Sequence, residues 1–384
     1  MNFKIFPRHS WLLVGFLLTY LGWQGRDYFQ KRKSPLFDFA LFVEEQEHAL
    51  ATAVLNCSSG SDAPAGCGET AAMQMLWRST ADSEVTSLFE KACLGGDFKA
   101  CGRIERLRVA RAARLANIWR NAPSEELDMP APQASEGFAS GRWPRIKFLK
   151  GDISFTQWLD VALQSVALDT SEKIADLLCG YSSELPRTLI CVSDGNLRIN
   201  IALGRVVSLV EQGARVLKTS EQGVHPLNRF WQGVDLRRAD FESATRRIEN
   251  ESEDSLLAEE QALWPWLASK DWDALLTFNA YAVFSGLPSH EFLHGLYFHH
   301  QEFRASVERV AADKIPYLDY VRKFIQRIYR TENAFVLRNE MQAYILQAES
   351  PFAQNKLLST RTRFESLLSE QNPNRPWKIF QHGY

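Results

Sequence analysis

Three side chains able to carry hydrolytic chemistry fall within five positions of one another: His290, Glu291 and His294, in the run LPSHEFLHGLYFHHQEF. On an α-helix, residues four apart lie on one face a single turn from each other, so both imidazoles can reach one metal ion. Glu291 is rotated by about 100° around the axis from His290. That offset suits a base acting on water beside the metal better than a further ligand. Pro288 and Ser289 precede the pattern and predict a turn and an N-cap there.

A site of this kind needs a third protein ligand and one open position. Downstream, TENAFVLRNEMQAYILQAES reads as one helix, with an apolar stripe through Val336, Leu337, Met341, Tyr344, Ile345 and Ala348. Glu340 falls on that stripe. A carboxylate on a core-facing stripe is costly unless a cation or hydrogen bonds compensate it, and an ion held by His290 and His294 would do so. Tyr344, one turn after Glu340, has two readings: a donor to a developing oxyanion, or a packing residue.

His290-Glu291-x-x-His294 followed by Asn339-Glu340 resembles the gluzincins, zinc peptidases in which H-E-x-x-H on one helix is completed by the Glu of an N-E pair on a later one. The resemblance spans residues 265 to 350. It implies Zn2+ as cofactor, His290, His294 and Glu340 as its ligands, Glu291 as general base and a peptide or protein as substrate. One feature departs from the fuller N-E-x-x-D pattern: Ala343 stands where an Asp would support a histidine ligand, so another group must orient that imidazole. His300 stands where metzincins carry a last histidine, but Tyr297 replaces the Gly that turns the chain there. On a continuing helix His300 points away from the metal. Glu340 is therefore the expected third ligand, and His299 and His300 read as a polar patch.

These residues need elements to hold them. The segment Pro316 to Tyr329 supplies a helical connection between the two halves of the site. Ala274 to Phe284 (ALLTFNAYAVF) is rich in strand formers and reads equally as an edge strand that holds extended substrate or as a core element. Upstream, the spacing predicts a helix near Phe155 to Leu168, a strand at Thr188 to Val192, a helix near Ile199 to Leu217 and a solvated charged face over Arg237 to Gln261. Trp264, Trp266 and Trp272 could line a cleft or pack in the core. The expected class is mainly α with a small β component (α+β), with a zincin-like metallopeptidase domain over residues 145–384. Residues 122–144, with four prolines and no periodicity, read as a linker. Residues 36–121 are helical by spacing. Within them FEKACLGGDFKACGRI (Phe89 to Ile104) resembles part of the cysteine-rich helical repeats related to tetratricopeptide repeats, but covers barely one unit.

Residues 1–35 differ in kind: WLLVGFLLTYLGW (Trp11 to Trp23) is an uncharged apolar run flanked by Lys4, Arg8 and Arg26. With no small-residue cleavage site after it, it reads as a signal anchor or transmembrane segment. Arg26, Lys31, Arg32 and Lys33 favour a cytoplasmic body. Six cysteines in three close pairs, Cys57/Cys67, Cys93/Cys101 and Cys179/Cys191, favour an oxidising compartment. The balance points to an extracytoplasmic body acting at the cell envelope, periplasmic in a bacterium. A net charge of -2, from 44 basic and 46 acidic residues, gives no reason to expect nucleic acid. The alternative function is a membrane-anchored scaffold with a catalytically silent zincin-like domain, which the retention of Glu291 beside both histidines argues against.

Overall fold

The computed structural model describes residues 52–57, 67–68, 71, 83–97, 100–105, 124–127, 146–167, 177–193, 196–212, 233–251 and, with short gaps, 256–381. Residues 1–35, where an anchor is expected, lie outside these, and among the described residues no helix is long and apolar enough to cross a membrane. The described part is mainly helical around one mixed sheet, in agreement with the class expected from sequence.

After a short helical stretch at residues 52–57 come a helix α1 (Ser83–Leu94) and an edge strand β1 (Ser124–Leu127). Strand β1 lies within the segment read as a linker, and its four residues pair antiparallel with β2 (Ile146–Ile153). Helix α2 (Phe155–Ala167), strands β3 (Leu177–Ser182) and β4 (Thr188–Ser193) and helix α3 (Asn196–Gln212) follow. Next come β5 (Gly233–Arg237), α4 (Arg238–Glu251), α5 (Ala258–Ser269) and β6 (Ala274–Asn279). The remainder is helical: α6 (Leu287–His299), α7 (Gln301–Ala312), α8 (Leu318–Tyr329), α9 (Ala334–Leu346) and α10 (Leu358–Gln371).

The six strands lie in the order β1-β2-β3-β4-β6-β5, so β6 is internal and β5 forms the edge. This decides the reading of Ala274 to Phe284: its first six residues are a fully buried core strand, and residues 280–284 turn into a 3-10 helix. The two-residue period of extended chain sends alternate side chains to opposite faces. On one face Leu177, Cys179, Leu189, Cys191, Val234, Leu236 and Leu275 pack under α3, α4 and α5. On the other, Leu178, Ile190, Val192, Leu276 and Phe278 pack against α2, α6 and the C-terminal helices. Trp264 and Trp272 belong to the first core, their indole N–H groups donating to the Ala202 carbonyl at 2.8 Å and the Leu267 carbonyl at 2.7 Å, so they line no cleft. Each neighbouring pair of cysteines is joined as a disulfide. Cys179 and Cys191 are direct cross-strand partners on β3 and β4.

The central helix α6 is buried on every side from Pro288 to Tyr297. Such a helix can be positioned only by packing on all faces. Gly295 allows the closest of these approaches: a Cβ there would stand 2.6 Å from Leu185 and 3.0 Å from Leu276.

Candidate metal centre

The helix carrying His290 and His294 starts one turn earlier than the motif suggests. Its N-cap is Gly286, and Pro288 occupies its first turn, where a missing N–H costs nothing. Ser289 is not the cap. Its hydroxyl accepts from Ala348 N at 3.0 Å and donates to the Phe380 carbonyl, tying α6 to the chain after α9 and to the C-terminal segment.

Helix α9 crosses α6 and delivers Glu340 against both imidazoles. Glu340 Oε2 lies 3.4 Å from His290 Nε2, and Oε1 lies 3.6 Å from His294 Nε2. The two rings are 4.5 Å apart between centroids and steeply inclined. All three side chains are buried, and their ligating atoms lie within 4.8 Å of one another, so together they could hold a metal ion. The connection over Pro316 to Tyr329 contains α8, as expected. Two imidazoles and one carboxylate match the donor set of an open catalytic zinc site. Buried Glu340 Oε2 and Glu291 Oε2 have no hydrogen-bond partner among the described residues, which is how a carboxylate waiting for a cation or for water would look.

His300 does not join this group. The helix ends at His299, and His300 turns into extended backbone, where its Nδ1 accepts from Phe303 N at 3.0 Å as the N-cap of α7. His299 Nε2 is 2.9 Å from the Thr188 hydroxyl at the start of β4.

Sequence reasoning left open what replaces the Asp missing at Ala343. The structure supplies Gln347, one turn further along the chain, whose Oε1 is 2.7 Å from His290 Nδ1. That contact makes Nδ1 the donor and frees Nε2 to face the site. On the other histidine, burial lowers the imidazole's pKa to about 4 against the opposing charge of Glu340, and its Nδ1 has no hydrogen-bond partner among the described residues. His294 is therefore neutral at physiological pH, the form a ligand requires.

Two acids that the motif does not contain complete the site. Strand β5 reads G-V-D-L-R, and its alternation buries Val234 and Leu236 on the far face while turning Asp235 toward α6. Asp235 Oδ1 stands 3.7 Å from His294 Nε2, and Oδ2 accepts from the Asn339 amide at 3.1 Å. Gly233, two residues before it, is where the Glu291 side chain passes: a Cβ there would sit 2.2 Å from Glu291 Oε1. The second acid is Glu211 near the end of α3. It follows Leu203 and Val207 at spacings of four, all three buried on one stripe, a signal available in the sequence. Glu211, Asp235 and Glu340 form one close carboxylate group, and Asp235, Glu291 and His294 another. Burial is the largest cause of an upward shift in each acid: Asp235 is pushed up to about 6, and Glu211 and Glu291 well above the usual carboxylate range, with the charges of Glu340 and Asp235 adding to the shift of the two glutamates.

Tyr344 lies beside the site as part of its wall. Its ring meets the His290 ring edge-on at 4.6 Å and packs near Phe324 and Phe352. Burial and the charge of Glu340 hold its hydroxyl protonated, and it hydrogen-bonds with Tyr329 of α8, a residue that also interacts with Glu340.

Comparison of the chain with known protein families, curated proteins and solved structures finds no match. The functional reading therefore rests on the geometry of the site.

Proposed function

We propose that this protein is a zinc-dependent metallopeptidase. The observation that carries the reading is the convergence of His290, His294 and Glu340 from two crossing helices, with the unpartnered carboxylate of Glu291 next to them in a buried, acid-rich site. A zinc ion held by those three residues would polarise a peptide carbonyl and make water more acidic. Glu291 takes the proton of the attacking water as its oxygen bonds to the carbonyl carbon, and hands that proton to the nitrogen as the carbon–nitrogen bond breaks. Gln347 holds the His290 imidazole in orientation, Asn339 holds the Asp235 carboxylate beside His294, and Tyr344, whose ring lies against His290, would be the donor to the developing oxyanion. The three disulfides support an oxidising, extracytoplasmic location for the body, with the apolar run of residues 11–23 as its membrane tether and an envelope peptide or protein as substrate.

Elemental analysis of the purified protein tests this. One zinc per chain is expected, lost in His290→Ala and Glu340→Ala and kept in His300→Ala. A protein that stays zinc-free after refilling would overturn the reading and favour a scaffold role.

A further inference from the structure

Once a divalent ion is assigned to His290, His294 and Glu340, the acids nearby still outnumber it. No lysine or arginine side chain is paired with Glu211 or Asp235 in the described structure; Asp235 has only the neutral amide of Asn339 and the His294 ring, and buried Glu211 Oε2 has no hydrogen-bond partner. The arginines around the adjoining cavity are engaged elsewhere: Arg237 with Asp240 at 2.6 Å and over the Phe335 ring, and Arg247 with Glu251 at 2.9 Å. Two carboxylates held in a buried space attract whatever cation can enter.

The way in is beside them. A cavity of about 210 Å³ is lined by Glu211, Asp235, Glu340, Phe335 and Arg247 among others, so it reaches the acids from the side of β5 and α4. That is less than the roughly 300–1,000 Å³ of ordinary ligand pockets, room for about one residue and not for an extended chain on this side. Asp235 also lies within 4.8 Å of Glu291, counted between ligating atoms. In any peptide the α-nitrogen is two bonds, about 2.5 Å, from the carbonyl carbon. A carbonyl presented to Glu291 thus has its own α-nitrogen within reach of Asp235, and Glu211 adjoins Asp235 and Glu340 in one close group. An internal amide nitrogen is neutral and offers one donor, which leaves the acids uncompensated. An N-terminal ammonium carries a charge and three donors.

We propose that Glu211 and Asp235 form a subsite for the free α-ammonium group of the substrate, so that the enzyme removes residues from peptide N-termini and does not cut within chains. This rests on the metallopeptidase reading and adds its substrate class.

The test is calorimetric binding to the full-length, zinc-loaded protein of two probes that differ only at the nitrogen: leucine hydroxamate and N-acetyl-leucine hydroxamate. The free amine is expected to bind at least about ten-fold more tightly, and Glu211→Gln to remove most of that difference while the protein keeps one zinc per chain. Comparing the two probes on the unaltered protein requires no variant to fold. Equal affinity for the two probes would sink the ammonium subsite and leave the metallopeptidase reading intact. So would a second equivalent of zinc that vanishes in Glu211→Gln, since the acids would then be a metal site. If the protein holds no zinc and binds neither probe, the parent reading and this one fall together.

Discussion

Glu291 and Asp235 sit within reach of the same imidazole yet carry different predictions. Glu291→Gln keeps the shape of the side chain and removes the base, so kcat for a susceptible peptide should fall about 10²- to 10⁴-fold with zinc content unchanged. Loss of zinc in that variant would instead make Glu291 a ligand. For Asp235 the informative quantity is stability of the metal-free protein against pH. Its folded pKa, about 6, exceeds the usual 3.8. The stabilising contribution of its protonated form is thus complete below about 3.8 and lost as pH rises through about 6. Asp235→Asn escapes that loss. The difference in unfolding free energy between the variant and the native chain should grow in the variant's favour from pH 4 to pH 6 and level off above, by roughly 2–3 kcal/mol. Chemical denaturation across that range checks it, and a flat difference would show that Asp235 is ionised at little cost.

At the scale of elements, the site depends on α9 holding its angle to α6 and on β5 passing close to Glu291. Gln347 ends α9 and is the partner of His290 Nδ1. Gln347→Ala should weaken zinc binding by about 10- to 100-fold without changing the fold, measured by competition with a chelator of known affinity. Gly233 is the tightest point of β5. Adding a methyl group in Gly233→Ala would drive into the Glu291 carboxylate, so it should lower kcat while zinc remains bound. A fully active Gly233→Ala protein would mean that the strand can give way there.

Across the whole molecule, the sheet separates two cores, and the site sits where one of them meets the edge strand. The disulfide between Cys179 and Cys191 ties β3 to β4 in the middle of that sheet, closing a loop over a sequence separation of 12. Replacing both cysteines by alanine should cost about 2–4 kcal/mol of stability, seen as a lower thermal midpoint in a protein that still binds zinc. An unchanged midpoint would show that strand pairing alone fixes that region.

Some of this was open to reading from the chain alone. The spacing of His290, Glu291 and His294 settles that a helix would place the imidazoles together, because helical geometry is local. The stripe through Met341 and Ile345 marked Glu340 as inward-facing, and β-branched runs marked Thr188 to Val192 as a strand, all within a turn or two of sequence. The sequence also paired the cysteines by proximity. What it could not settle were contacts made across long separations. Whether Ala274 to Asn279 was edge or core depended on β5 pairing with it from the outside. That Ser289 ties helices together instead of capping one, that Gln347 stands in for the Asp missing at Ala343, and that Asp235 and Glu211 converge on the same few ångströms all follow from how α3, β5, α6 and α9 pack. Local periodicity says which face of an element is buried; only tertiary packing decides what that face meets.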